Sequence, residues 1–262
     1  MPCTLARALA AAAVGVGLLN GCTTGALFPV RTQAASQYAD RLNQAFRSDS
    51  GQVRYHLFPA ANARGLIVQF HGDGAYEFDH PQSDYSLGGP RGIVAVARSH
   101  GYATLVIRTP DDDTDTWWKK GRANVPVAMD LINRTKKDLG LTETWLVGYS
   151  GGSQFITQYL LPTHPELMAS GGAVMFGGGG APRRDITLPA DAAKGYPMTW
   201  YTGAEDDGTK SEDGYDARDD AVRGRRWYEA HAARTRAESP AGVSHDLTGR
   251  FGPILDGLLP KR

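Results

Sequence analysis

Apolar and polar positions along this chain fall into two alternating kinds of run. One kind is short and continuous: "GLIVQF" from Gly65, "YATLVI" from Tyr102, "TWLVGY" from Thr144, "GGAVMF" from Gly171 and "PMTWY" from Pro197. Runs this short, rich in β-branched and aromatic residues, predict strands buried on both faces. The other kind spaces its apolar residues at a helical period. "RGIVAVARSHG" is one such segment. "NVPVAMDLINRTKKDLG" is another, with Leu131 and Ile132 inward, Lys136 and Lys137 outward, and Gly140 as its stop. "GGSQFITQYLL" predicts a helix that stops before Pro162, and "DAVRGRRWYEAHAARTRAE" one long helix. Ahead of all these, "QVRYHLF" from Gln52 alternates and predicts a strand at the sheet edge. Strands that alternate with helices imply right-handed crossovers, hence an α/β class with a mainly parallel sheet covered on both faces. In such sheets ligands bind where the strands end at their carboxyl side.

Length does not force a second domain, because single α/β domains reach 262 residues. Lys and Arg number 28, Asp and Glu also 28, and no basic block stands out, so no nucleic-acid partner is expected. No dinucleotide fingerprint, zinc spacing or phosphate loop occurs. The aspartates of "PDDDTD" lack calcium-loop spacing, so no metal and no cofactor are expected.

The N-terminus departs from the rest. Arg7 precedes "ALAAAAVGVGLL", an apolar stretch too short to span a membrane comfortably. "LNGC", Leu19 to Cys22, resembles a bacterial lipobox, with Asn20 as its departure. The resemblance implies a signal peptide over 1–21 and a lipidated Cys22; a tether and N-terminal segment over 22–50 and a folded domain over 51–262 are then expected. Such a protein is exported and held on a membrane surface without crossing it; plain secretion is the alternative. Cys3 leaves with the signal, so no disulfide is expected.

The chemistry lies at the strand ends. "TWLVGY" runs into Gly148-Tyr149-Ser150-Gly151-Gly152 and then into a helix. A serine between glycines at a strand-to-helix turn is displayed as a nucleophile, and the helix N-terminus favours negative charge beside it. "GLIVQF" likewise runs into His71-Gly72-Asp73-Gly74. Together these motifs resemble the α/β-hydrolase family, in particular its esterase and lipase-like members, over roughly Gln52 to Pro260.

The resemblance implies an α/β-hydrolase fold and further roles for named residues. The oxyanion donors would be the amide of Gly151 and that of Asp73 or Gly72, with the Asp73 side chain pointing away. His71 would be a framework histidine. The acid would follow the strand "MTWY" within "GAEDDG", as Asp206 or, second, Asp207. The base would be His245 in "AGVSHDLTG"; His231, in a helical segment, would not take part. Trp117 and Trp118 overhang the active face and are candidates for an apolar substrate wall, or for packing that loop down. "FGGGGAP" reads as a roomy rim, and Arg183 to Lys194 as a small lid. The function implied is ester hydrolysis through an acyl-enzyme on Ser150, with a small or polymeric ester as partner. A peptidase, a polyester depolymerase and a non-catalytic binding protein are the alternatives.

Overall fold

The continuous apolar runs form the middle of an eight-stranded sheet in the order β1-β2-β4-β3-β5-β6-β7-β8. The computed structural model describes residues 38–183, 186–211 and 213–261. The signal segment, Cys22 and most of the tether lie outside the described residues. The strands are β1 (Arg41–Ser48), β2 (Gly51–Phe58), β3 (Gly65–Phe70), β4 (Tyr102–Ile107), β5 (Glu143–Tyr149), β6 (Gly172–Phe176), β7 (Pro197–Tyr201) and β8 (Arg234–Glu238). β2 pairs antiparallel with β1 and β4, and every other pairing is parallel.

Each buried run is two interleaved sets, as the period of two requires. Leu66, Val68 and Phe70 of β3 face one core with Leu105, Leu146 and Met175, while Ile67 faces the other with Val106, Val147 and Val174. The helices are α1 (Tyr76–Asp79), α2 (Ile93–Ser99), α3 (Gly121–Leu139), α4 (Gly151–Phe155), α5 (Leu161–Thr163), α6 (Ala217–Glu229) and α7 (Phe251–Asp256), with a π-helical stretch, Ile156–Leu160, joining α4 to α5. α3 and Phe155 cover the first core; α2 and α7 cover the second. Fully burying one such leucine or phenylalanine contributes about 1.5–3 kcal/mol, so these two layers dominate stability. At Gly140 the backbone turns left-handed (φ 66°) and Leu141 N–H reaches back to Lys136 C=O, which ends α3.

Three expectations are corrected. The folded domain begins before residue 51: β1 adds a strand outside β2, so β2 is not the edge. β1 is solvent-exposed on most residues and broken in register near Asn43, so its sequence "RLNQAFRS" has no clean alternation. The long helix expected through Glu238 stops at Glu229. Ala232 takes a positive φ of 66°, and "RTRAE" then pairs with β7 as an exposed, charged edge strand. Arg, Ala and Glu are good helix formers, which hid it; charge is also what protects an edge. Of the stretch expected as a lid, residues 184 and 185 lie outside the described residues, and its last part leads instead into the start of β7, with Ala193 buried and its N–H bonded to His231 C=O. No helix among the described residues is long and apolar enough to cross a membrane.

Candidate active site

Ser150 stands between β5 and α4 with φ 49° and ψ −117°, a conformation rare for a residue with a side chain. The glycines around it are required by space. A Cβ on Gly148 would lie 2.7 Å from Ser153 N, and one on Gly152 would lie 2.2 Å from Phe70 O. Only glycine lets β5, α4 and β3 meet this closely. Ser150 N–H donates to Phe176 C=O at 2.8 Å, and Ser153 Oγ donates to the same oxygen at 2.8 Å. The turn is thus pinned to the end of β6.

His245 Nε2 lies 3.0 Å from Ser150 Oγ, and its Nδ1 lies 2.8 Å from Asp206 Oδ2. The carboxylate can only accept, so Nδ1 carries the proton and Nε2 is left to accept from the serine hydroxyl. Asp206 is buried. Asp207 instead turns onto Thr209, whose amide and hydroxyl it accepts at 3.1 and 2.6 Å and which hold its carboxyl below the usual range. The acid and base loops are laced together: Glu205 N–H donates to Val243 C=O at 2.8 Å and Ala204 N–H to Pro240 C=O at 3.0 Å. A Cβ on Gly203 would strike Val243 O at 2.2 Å, so that glycine permits the approach. Tyr149 Oη donates to His245 C=O at 2.9 Å, its ring lies 5.2 Å from the imidazole, and Tyr215 meets the same ring edge-on at 6.2 Å.

The other side of Ser150 is the His71–Gly74 loop. His71 is fully buried, and burial pushes it down to about 4, so it is neutral. Its Nε2 accepts Thr109 N–H at 2.9 Å, which puts the proton on Nδ1; Nδ1 donates to Gly72 C=O at 2.7 Å. Ala75 N–H donates to the same carbonyl at 3.1 Å. Gly72 N–H is also taken, by Glu77 Oε2 at 3.1 Å, so it is not available as an oxyanion donor. The amides of Asp73 and Gly151 have no acceptor among the described residues. The Asp73 side chain does not point away. Its Oδ2 accepts Trp118 Nε1–H at 2.9 Å, and its Oδ1 lies 2.0 Å from where a Cβ on Gly151 would stand. Burial raises its pKa.

The two tryptophans part company. Trp117 is fully buried against Phe70 and Phe155, with ring centroids 5.0 and 4.7 Å away, so it cannot line a pocket. Trp118 is half-buried and faces the site beside Asp73 and Gly151. Nor is Gly177–Gly180 an open rim. These residues are buried, and Gly178 and Gly180 abut Tyr215 Oη and the Asp220 carboxylate so closely that a Cβ would lie 2.1 Å from either. His231 sits just past α6, its ring stacked on Trp227 at 3.9 Å. Sequence reasoning missed Glu77, which carries no motif of its own, and the bridging contact of Tyr149. A cleft of about 490 Å³ opens at the opposite end of the sheet, by Glu143, Pro197 and Arg234, and brings no nucleophile or base together. Chemically, the arrangement around Ser150 can deprotonate a hydroxyl and receive negative charge on two amides.

The sequence matches no protein-family model and no curated protein sequence. Solved structures are similar in fold. A poly(aspartic acid) hydrolase-1 from Sphingomonas sp. KT-1 superposes with a TM-score of 0.56 at 14% identity, over 82% of this chain and 97% of its own. A phospholipase/carboxylesterase from Dyadobacter fermentans gives 0.54 at 15%, over 78% and 95%. A ferulic acid esterase from Anaeromyces mucronatus gives 0.56 at 12%, over 83% and 89%. The mostly parallel sheet, its helices and these likenesses establish the α/β-hydrolase fold.

Proposed function

We propose that this protein is a serine hydrolase that cleaves carboxylic esters through an acyl-enzyme on Ser150. The observation that carries the reading is the unbroken chain from Ser150 Oγ through His245 to Asp206, at 3.0 and 2.8 Å, on a serine held at positive φ. Ser150 attacks the acyl carbonyl and His245 Nε2 takes its proton. Asp206 fixes the imidazole tautomer and stabilises the imidazolium. Negative charge on the former carbonyl oxygen falls to the amides of Asp73 and Gly151. His245 then protonates the departing alcohol, and water releases the acyl group by the same steps in reverse. Trp118 would contact the substrate at the rim.

The fold is shared by a carboxylesterase, a ferulic acid esterase and a poly(aspartic acid) hydrolase, so it does not separate ester from amide chemistry. A p-nitrophenyl ester series on the domain from Gln33, with Ser150→Ala beside it, tests the proposal. Serine-dependent turnover is expected. Amide turnover exceeding ester turnover would select a peptidase, and no labelling of Ser150 by a fluorophosphonate would select a binding protein. We also propose that the chain is exported and lipidated at Cys22. Palmitate incorporation lost in Cys22→Ala is the expected result, and incorporation that persists would refute it.

A further inference from the structure

Glu77 belongs to α1, just after the loop that supplies the Asp73 amide, and its side chain turns back beneath that loop. The residue is 2% exposed. Oε2 accepts Gly72 N–H, while Oε1 is sealed from solvent and has no hydrogen-bond partner. Even with its own backbone amide nearby, a carboxylate this deeply buried is held against its desolvation, and a glutamine of the same shape could accept the same Gly72 N–H without any charge. The charge therefore asks for a role.

The geometry around Gly72 supplies one. Glu77 holds its N–H; His71 Nδ1 and Ala75 N–H hold its C=O. In a trans peptide the C=O and the following N–H point in opposite directions. Fixing both ends of Gly72 therefore aims the Asp73 N–H, the amide left for the oxyanion. The charged and titratable groups facing Glu77 come from four places. Asp73 of the loop opposes its ionisation, and His245 of the last loop favours it. Tyr149 at the end of β5 and Tyr85 beyond α1 complete the set, both held protonated by burial and partly by the Glu77 charge.

We propose that Glu77 is a positioning residue for acyl transfer: its ionised carboxylate clamps the Gly72 amide, aims the Asp73 amide at the oxyanion, and favours the imidazolium of His245. This rests on the acyl-transfer reading of the same site. Burial pushes the Glu77 carboxyl up to about 7, so both forms are sampled near neutral pH. A neutral carboxyl accepts more weakly than a carboxylate and has lost the charge that faces His245.

The test is the pH dependence of kcat and KM for a p-nitrophenyl ester, from about pH 5 to about pH 9, for the wild type and Glu77→Gln. In the wild type, the acid limb of log kcat is expected to fall with two protons, one of them on Glu77. In Glu77→Gln it falls with one. At neutral pH the variant's kcat drops about tenfold, with KM changed less than about twofold, because the aimed amide acts mainly in the transition state. A wild-type acid limb of a single proton overturns the proposal with no variant needed, even if Glu77→Gln fails to fold. A variant with the wild-type profile and kcat also overturns it and leaves the hydrolase reading intact. A wild type with no Ser150-dependent turnover overturns the hydrolase reading and this inference with it.

Discussion

On one side of Ser150, Asp206 and His245 form a chain in which each contact joins a donor to an acceptor. On the other side, Asp73 and Glu77 set two carboxylates against the loop proposed to receive negative charge. The base side is held by complementarity and by two laced loops. The oxyanion side is held by groups whose charge works against their own burial, and both carboxyls are raised for that reason. The base side should therefore behave as a fixed tool. The oxyanion side should respond to pH.

The largest effects belong to the base side. Ser150→Ala should lower ester turnover at least about 10⁴-fold, and retained activity would end the comparison at once. Asp206→Asn should lower kcat about 10³–10⁴-fold, because the asparagine cannot hold the imidazole tautomer. Asp207→Asn should stay within about twofold, since that carboxylate serves its own turn on Thr209. Equal losses in the two variants would mean that the acid loop rearranges in solution.

Next comes stability, where the oxyanion side gives an unusual signature. The Glu77 carboxyl rises from 4.5 in the unfolded chain to about 7 in the fold. Folding then retains a proton that the unfolded chain loses, so this group's contribution is present below pH 4.5 and lost as pH rises toward 7. His71 drops from 6.5 to about 4, so its contribution is present above pH 6.5 and lost as pH falls toward 4. Each amounts to something on the order of 3 kcal/mol, and between these limits the two oppose each other. Glu77→Gln removes one. Its denaturation midpoint should climb with pH relative to the wild type between about pH 5 and about pH 7. Parallel curves for the two proteins would show that Glu77 titrates as it does in the unfolded chain.

A smaller effect is expected at Asp73. Its carboxylate borders Gly151, whose amide is one of the two proposed oxyanion donors. Asp73→Asn removes a charge that opposes the oxyanion, so kcat/KM for a neutral ester should rise about threefold where the wild-type carboxyl is ionised. The gain should fade on acidification, as the wild-type carboxyl, raised by burial, takes up its proton. A loss at every pH would instead give the Asp73 charge a constructive role, for instance through Trp118.

The same division decides what the sequence made legible. Buried strands announce themselves by unbroken apolar runs, and a serine at a strand-to-helix turn by the glycines that the turn needs for space. Ser150 stands out at a strand end by itself, whereas Asp206 and His245 are legible only through the family resemblance, which places an acid and a base after the later strands. β1 and β8 are not legible, because an exposed edge strand has no buried face to impose a period; "RTRAE" carries helix formers instead. Trp117 and Trp118 are adjacent and chemically alike, yet one fills the core and the other faces the site. Only backbone direction distinguishes them. Glu77 reads as one more surface acid until its burial is known.

Tyr149 is where the two sides touch. Its hydroxyl donates to His245 C=O at 2.9 Å, while its ring packs so tightly on Gly72 that a Cβ there would lie 2.7 Å from Cδ1. Tyr149→Phe keeps the ring and removes only the hydrogen bond. Stability should fall by about 1 kcal/mol, and kcat about threefold with KM unchanged, since water can reach part of the vacated carbonyl. The sharper experiment combines it with Glu77→Gln. If the base and oxyanion sides are independent, the two losses in kcat multiply. If the tyrosine ring transmits strain from the Gly72 clamp to His245, the double variant loses less than the product. That outcome would make the contrast between the two sides one of charge alone, with a single packed ring setting the geometry of both.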